Sequence, residues 1–189
     1  MNADLLVYQA KSFYNAYIAL DQLSRDDSDA LLLLFAPLIV NGAFSTELTL
    51  KAILAKNKIE YGKEHNLLIL FQMLPKSFQQ ELWAFLTEKA PEYANFERGL
   101  NELILLSNAF VDWRYAFEGN PVPAIESRFL AAFANAAIRT MFSHYNTDLR
   151  PVAKTESDNA IEQKFRDNRE KCKEINLKMI KKKTKEHQL

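Results

Sequence analysis

Apolar residues in this chain recur at steps of three and four, and strand-like alternation is almost absent. A chain patterned in this way buries its apolar stripes by packing helix on helix. Glycine scarcity points the same way. The 189 residues include four glycines, and neither a GxxxxGK[ST] nor a GxGxxG string occurs. The common phosphate-cradling nucleotide folds are therefore disfavoured. Cys172 is the single cysteine, so no internal disulfide and no Cys-based zinc site is available.

The spacing predicts a first helix over about Leu5–Leu23, with Leu5, Leu6, Phe13, Tyr17 and Leu20 apolar, ending in the polar loop SRDDSD. Ser28 or Asp29 can cap a second helix running to about Lys56, which Pro37 either kinks or effectively starts. A short helix over His65–Leu74 is stopped by Pro75, and Ser77 with Gln80 reads as a capping box for a helix to about Lys89. Pro91 opens a long helix whose stripe is Phe96, Leu100, Leu103, Phe110 and Phe117, closing at Gly119. A further helix covers about Ala124–Asn146. The expected architecture is all-α: an antiparallel bundle of five to six helices over residues 1–150, with short connections, and a C-terminal helical extension over 151–189.

In that extension Ile161, Phe165, Asn168, Cys172, Ile175 and Met179 form a heptad seam with one polar position. It is too short to stand alone, so it should pack on the body or on a second copy of the chain. Charge divides at the same boundary. Residues 1–150 hold 13 basic and 17 acidic side chains, and residues 151–189 hold 11 and 7, with Lys178, Lys181, Lys182, Lys183 and Lys185 crowded at the end. The N-terminus shows no basic region leading into an apolar stretch, and the longest apolar run, Ala30–Val40, is eleven residues interrupted by Pro37. That is short of the roughly 18–20 needed to cross a bilayer, so the expectation is a cytoplasmic protein with no membrane segment.

Two helices carry charges on their apolar stripes. Glu47 has Val40, Ala43, Phe44, Leu50 and Leu54 as helical neighbours, with Lys51 the one cation among them. A carboxylate in such a setting must pair or be neutralised. Arg114 stands likewise among Phe110, Val111 and Phe117, beside Glu118. If the two helices face one another, Glu47, Lys51, Arg114 and Glu118 would form a net-neutral buried network, joined by Asn41 or His65. The other reading of these charges is two ordinary i, i+4 helix pairs.

The strings AFSTELTLKAILA (Ala43–Ala55), HNLLILFQMLP (His65–Pro75) and FVDWRYAFE (Phe110–Glu118), in this order along a helical chain, resemble the HEPN family, the higher eukaryotes and prokaryotes nucleotide-binding domains. The resemblance covers roughly residues 1–148. It implies a bundle of long antiparallel helices, usually a homodimer, in prokaryotic defence and toxin–antitoxin systems, with an antitoxin or nucleotidyltransferase as partner. Many members are metal-independent ribonucleases, needing no cofactor, that carry Arg, four to six residues, then His.

The one match in this chain is RTMFSH, with Arg139 and His144. On the family pattern the arginine stabilises phosphate and the histidine assists proton transfer, as suits a side chain titrating near neutrality. Thr140 departs from the pattern, which more often has Asn, Asp or His there. Residues five apart on an unbroken helix also point about 140° apart, so both meet one phosphate only if the helix loosens or the site is shared across a dimer.

Three functions follow as alternatives. One is an endoribonuclease using Arg139 and His144. A second is a non-catalytic bundle that binds RNA, a nucleotide or a protein, with Glu47, Lys51, Arg114, Glu118, His65 and Asn41 lining the site or holding the bundle. The third is an interaction module assembled through residues 151–189.

Overall fold

A computed structural model describes residues 3–26, 28–114 and 124–145, with side chains undescribed over 26–33. These residues fold as seven α-helices: α1 (Ala3–Asp26), α2 (Ser28–Lys56), α3 (Leu67–Met73), α4 (Lys76–Lys89), α5 (Phe96–Leu106), α6 (Ala109–Arg114) and α7 (Ser127–His144), with a 3₁₀ turn at Pro91–Tyr93. There is no strand among them, as the spacing requires. The chain divides into two units, Met1–Thr147 and Asp148–Leu189. The heptad seam and lysine cluster lie outside the described residues.

Helix α2 is the central element, packed by α1, α3, α6 and α7. Apolar Ile39, Ala43, Leu50, Ala52, Ile53 and Leu54 are fully buried, and so are the hydroxyl residues Ser45, Thr46 and Thr49. Most buried hydroxyls are hydrogen-bonded, and each of these is. Thr46 Oγ1 donates to the Gly42 carbonyl, Thr49 Oγ1 to the Ser45 carbonyl, and Ser45 Oγ crosses to the Ala10 carbonyl of α1. A Cβ at Gly42 would lie 3.0 Å from Tyr17 Cδ2 and 3.1 Å from Leu130 Cδ2, so the missing side chain lets α1 and α7 close on α2. By length and hydropathy the stretch Leu34–Lys56 could also cross a membrane, which the count of uninterrupted apolar residues did not register. Here 78% of that window is buried inside the bundle.

Helix α1 runs antiparallel to α2, with Lys56 at the end of α2 paired to Asp4 at the start of α1, and α7 runs antiparallel to α4, with Arg139 against Glu88 and the later His144 against the earlier Glu81. Helices α2 and α7 run parallel, Gly42 facing Leu130 and Asn57 Nδ2 donating to the Tyr145 hydroxyl beyond their ends, so the expected antiparallel bundle is not antiparallel throughout. Pro37 lies inside α2 rather than at its start. In α1 the inward positions are Leu6, Val7, Ala10 and Tyr17, with Leu5 left exposed.

Several boundaries differ from the sequence expectation, each for a local reason. Helix α3 starts at Leu67 because Asn66 caps it, accepting from the Ile69 N–H. The Ser77–Gln80 capping box does not form. Pro75, at φ −54° and ψ 145°, occupies the N-cap of α4 without a side-chain bond. Instead Gln79 Nε2 donates back to the Gln72 and Leu74 carbonyls.

The single long helix from Pro91 is in fact a 3₁₀ turn followed by α5 and α6. Asn95 opens α5 by capping the Arg98 N–H, and Ser107 turns its hydroxyl onto the Leu103 carbonyl where α5 ends. The projected stripe is broken accordingly: Leu103 is buried, whereas Phe96 is 52% exposed. Phe117 and Gly119 lie outside the described residues. Helix α7 begins at Ser127 rather than Ala124.

Candidate functional site

Glu47 and Lys51 are both buried on α2, and Lys51 Nζ donates to Glu47 Oε1 across 2.7 Å. The same oxygen lies 2.8 Å from His65 Nδ1. An ionised carboxylate only accepts, so this contact places an imidazole proton on Nδ1. The imidazole is 54% exposed, so one edge meets the buried carboxylate while the rest faces water. Glu47 Oε2 is buried and accepts no hydrogen bond among the described residues.

The loop before α3 brings His65 to this position. Glu64 Oε1 accepts the N–H groups of both His65 and Asn66, Asn66 Nδ2 donates to Asn108 Oδ1, and the Leu67 N–H donates to the Ser107 carbonyl at 2.8 Å. The break between α5 and α6 thus anchors the loop that delivers His65 to Glu47. Tyr61 completes the surround, its ring centre 5.5 Å from Lys51 Nζ. Burial, and then the Glu47 charge, push its phenol above the ordinary value.

The expected four-charge buried network takes a different form. Arg114 is exposed, with its guanidinium carbon 4.8 Å from the centre of the Phe110 ring. Phe110 in turn stacks on Phe44 at 4.3 Å, so these rings join α6 to α2. Asn41 is engaged within its own helix, Nδ2 donating to the Pro37 carbonyl at 2.7 Å. Glu118 lies outside the described residues. The centre is therefore the buried Glu47 and Lys51 with the exposed His65 on the carboxylate, and Tyr61 at its edge, a residue that the sequence reading did not single out.

Arg139 and His144 both lie along the seam between α7 and α4, at separate places. Arg139 Nη2 contacts Glu88 Oε2 at 3.0 Å, and its guanidinium carbon sits 4.0 Å from the centre of the Phe85 ring. His144 Nε2 contacts Glu81 Oε2, and its ring packs 4.4 Å from that of Phe78. Burial acts to raise the Glu81 carboxyl. Hydrogen bonds from Ser143 and His144, and the His144 charge, outweigh it and hold the group below its ordinary value.

Glu81 and Glu88 stand seven residues apart on α4, about 10 Å along the axis. Each member of the Arg–His pair thus has its own carboxylate, and α7 runs unbroken between them. Thr140 is fully buried, and its Oγ1 has no hydrogen-bond partner among the described residues. The two glutamates went unnoticed in the sequence because their α7 partners are more than fifty residues away.

Among the described residues, no group of three or more His, Cys, Asp or Glu side chains is placed to hold a metal ion. Comparisons with family models, curated proteins and solved structures give no match to this chain.

Proposed function

We propose that this chain is an HEPN-like helical bundle that binds a nucleotide as a non-catalytic module, working as a cytoplasmic homodimer beside a partner such as an antitoxin or nucleotidyltransferase. The family assignment rests on the three sequence strings and their order. The choice of binding over cleavage rests on one observation: Arg139 and His144 each face a different glutamate, two turns apart on α4. The two groups that a nuclease of this pattern must bring to one phosphate are thus held by separate partners about 10 Å apart along α4. The acidic excess of residues 1–150 likewise favours a small ligand over a long phosphate backbone.

A metal-independent endoribonuclease is the second reading. It is favoured by the partial exposure of both side chains, 38% for Arg139 and 41% for His144, and by the fixed orientation that Glu81 gives the imidazole. Cleavage of mixed cellular and structured RNA by the full chain, with and without a chelator, separates the two readings when run beside an Arg139→Ala/His144→Ala variant. The binding reading expects no cleavage above that variant, together with saturable binding of a nucleotide. Chelator-resistant cleavage that the double substitution abolishes would overturn it.

A further inference from the structure

The ends of three helices enclose a cleft of about 370 Å³ on a part of the bundle that neither site above uses. Asp21 and Arg25 reach it from α1, Lys89 from the end of α4, and Arg128 from the start of α7, while Ala90, Ala131 and Ala132 line it with methyl groups. Small residues leave the space open, and cations supply its charge. Three basic groups face Asp21 in the lining, and Glu92 pairs with Arg128, which leaves one cation in excess within a body whose balance is acidic.

Two of the cations are held in place by carboxylates. Asp21 accepts from Arg25 Nε at 3.0 Å and from Nη2 at 3.3 Å. Glu92 contacts Arg128 Nε at 2.7 Å. Both contacts leave further guanidinium N–H groups uncommitted, since an arginine carries five donors. The Lys89 ammonium makes no hydrogen bond or ion pair among the described residues. An anion entering here would meet two guanidinium groups already oriented and one free ammonium.

We propose that this cleft binds the phosphate group of a small phosphorylated ligand of mononucleotide size. Its volume falls at the lower end of the range for small-molecule sites, which suits one nucleotide and not a continuous strand. Charge-assisted bonds from fixed guanidinium groups select phosphate over a neutral ligand. The proposal rests on the nucleotide reading above and gives it a location. The phosphate contacts belong to Arg25, Lys89 and Arg128, and not to Arg139.

The test titrates the full-length ¹⁵N-labelled chain with inorganic phosphate, with AMP and with adenosine, following backbone amides by NMR. Wild type is compared with Lys89→Ala/Arg128→Ala, with Ala131→Met and with a Lys63→Ala control. Saturable shifts should centre on the amides around Lys89 and Ser127 for phosphate and AMP. Removing the two cations should weaken both by about tenfold or more, which is 1.4 kcal/mol or more. Ala131→Met fills the cleft without changing charge and should weaken AMP, while Lys63→Ala should change nothing.

Phosphate that shifts no amide at the cleft overturns the proposal, as does AMP affinity unchanged in both cleft variants. AMP binding elsewhere, insensitive to these variants, would leave the nucleotide reading standing and remove this site. Phosphate binding here with no gain from the nucleoside would support the phosphate site and sink the nucleotide reading.

Discussion

Lys51 Nζ and Glu47 Oε1 lie 2.7 Å apart within one turn of α2, both inside the core. An exposed i, i+4 pair contributes only about 0.2–0.5 kcal/mol, but removing one member of a buried pair strands a charge and costs about 3–5 kcal/mol. Lys51→Met should therefore lower the unfolding free energy by about 3 kcal/mol. Glu47→Leu/Lys51→Met, which removes both charges, should come back to within about 1 kcal/mol of wild type. Urea unfolding of the two singles and the double measures the coupling. A coupling near zero would mean that the pair is solvated in solution.

The pair was legible because helical periodicity predicts which residues surround position 47. The same reasoning failed for Arg114, where it assumed one helix from Pro91 to Gly119. Asn95 and Ser107 carry the local signals that divide that segment, a capping amide and a hydroxyl that bonds back to the backbone, but an apolar stripe read across them hides both. His65 was legible as one of two residues, with Asn41, that could join Glu47, but the choice between them was not, because the loop that places His65 is fixed by contacts to Ser107 and Asn108 about forty residues away. The glutamates opposite Arg139 and His144, and the three cations of the cleft, are likewise assembled by helix packing, which periodicity within one element does not encode.

The Glu81–His144 contact makes stability depend on pH. The folded-state carboxyl of Glu81 titrates below its ordinary 4.5, so its contribution is present above that value and is lost as pH falls through the lower folded one. Glu81→Gln should therefore melt below wild type at pH 6, with the difference shrinking as the pH approaches 3. Melting curves of both proteins across that interval decide the matter. A difference independent of pH would show that the carboxylate's charge contributes nothing.

Gly99 faces the Trp83 ring. A Cβ there would lie 2.6 Å from Cζ2, closer than a rigid indole tolerates without moving. Trp83 also packs against Phe96, with ring centres 4.6 Å apart, so displacing it disturbs a second contact. Gly→Ala in a helix interior gains about 1 kcal/mol from propensity, whereas overpacking costs about 1–3 kcal/mol. Gly99→Ala should come out destabilising, with a changed tryptophan emission spectrum in the folded state. A more stable protein with unchanged emission would place the indole further from α5.

Two residues of the loop after α2 have left-handed backbones, Lys58 at φ 59° and Gly62 at φ 56°. Lys58 closes the helix: its N–H donates to the Ala55 carbonyl, and the next N–H, that of Ile59, reaches the Leu54 carbonyl at 2.9 Å. This is the position where helices favour glycine, because a Cβ in the left-handed region costs about 1–2 kcal/mol. Glycine's greater freedom in the unfolded chain returns about 0.4–1 kcal/mol of that, so Lys58→Gly should stabilise by roughly 0.5–1 kcal/mol. Gly62 supplies the opposite test, since no atom lies within 4 Å of its would-be Cβ. Gly62→Ala therefore meets backbone strain alone and should destabilise by about 1 kcal/mol. Thermal melts of the two variants should move in opposite directions from wild type. If Lys58→Gly instead lowered the melting temperature, the lysine side chain would be supplying a contact stronger than the strain it imposes.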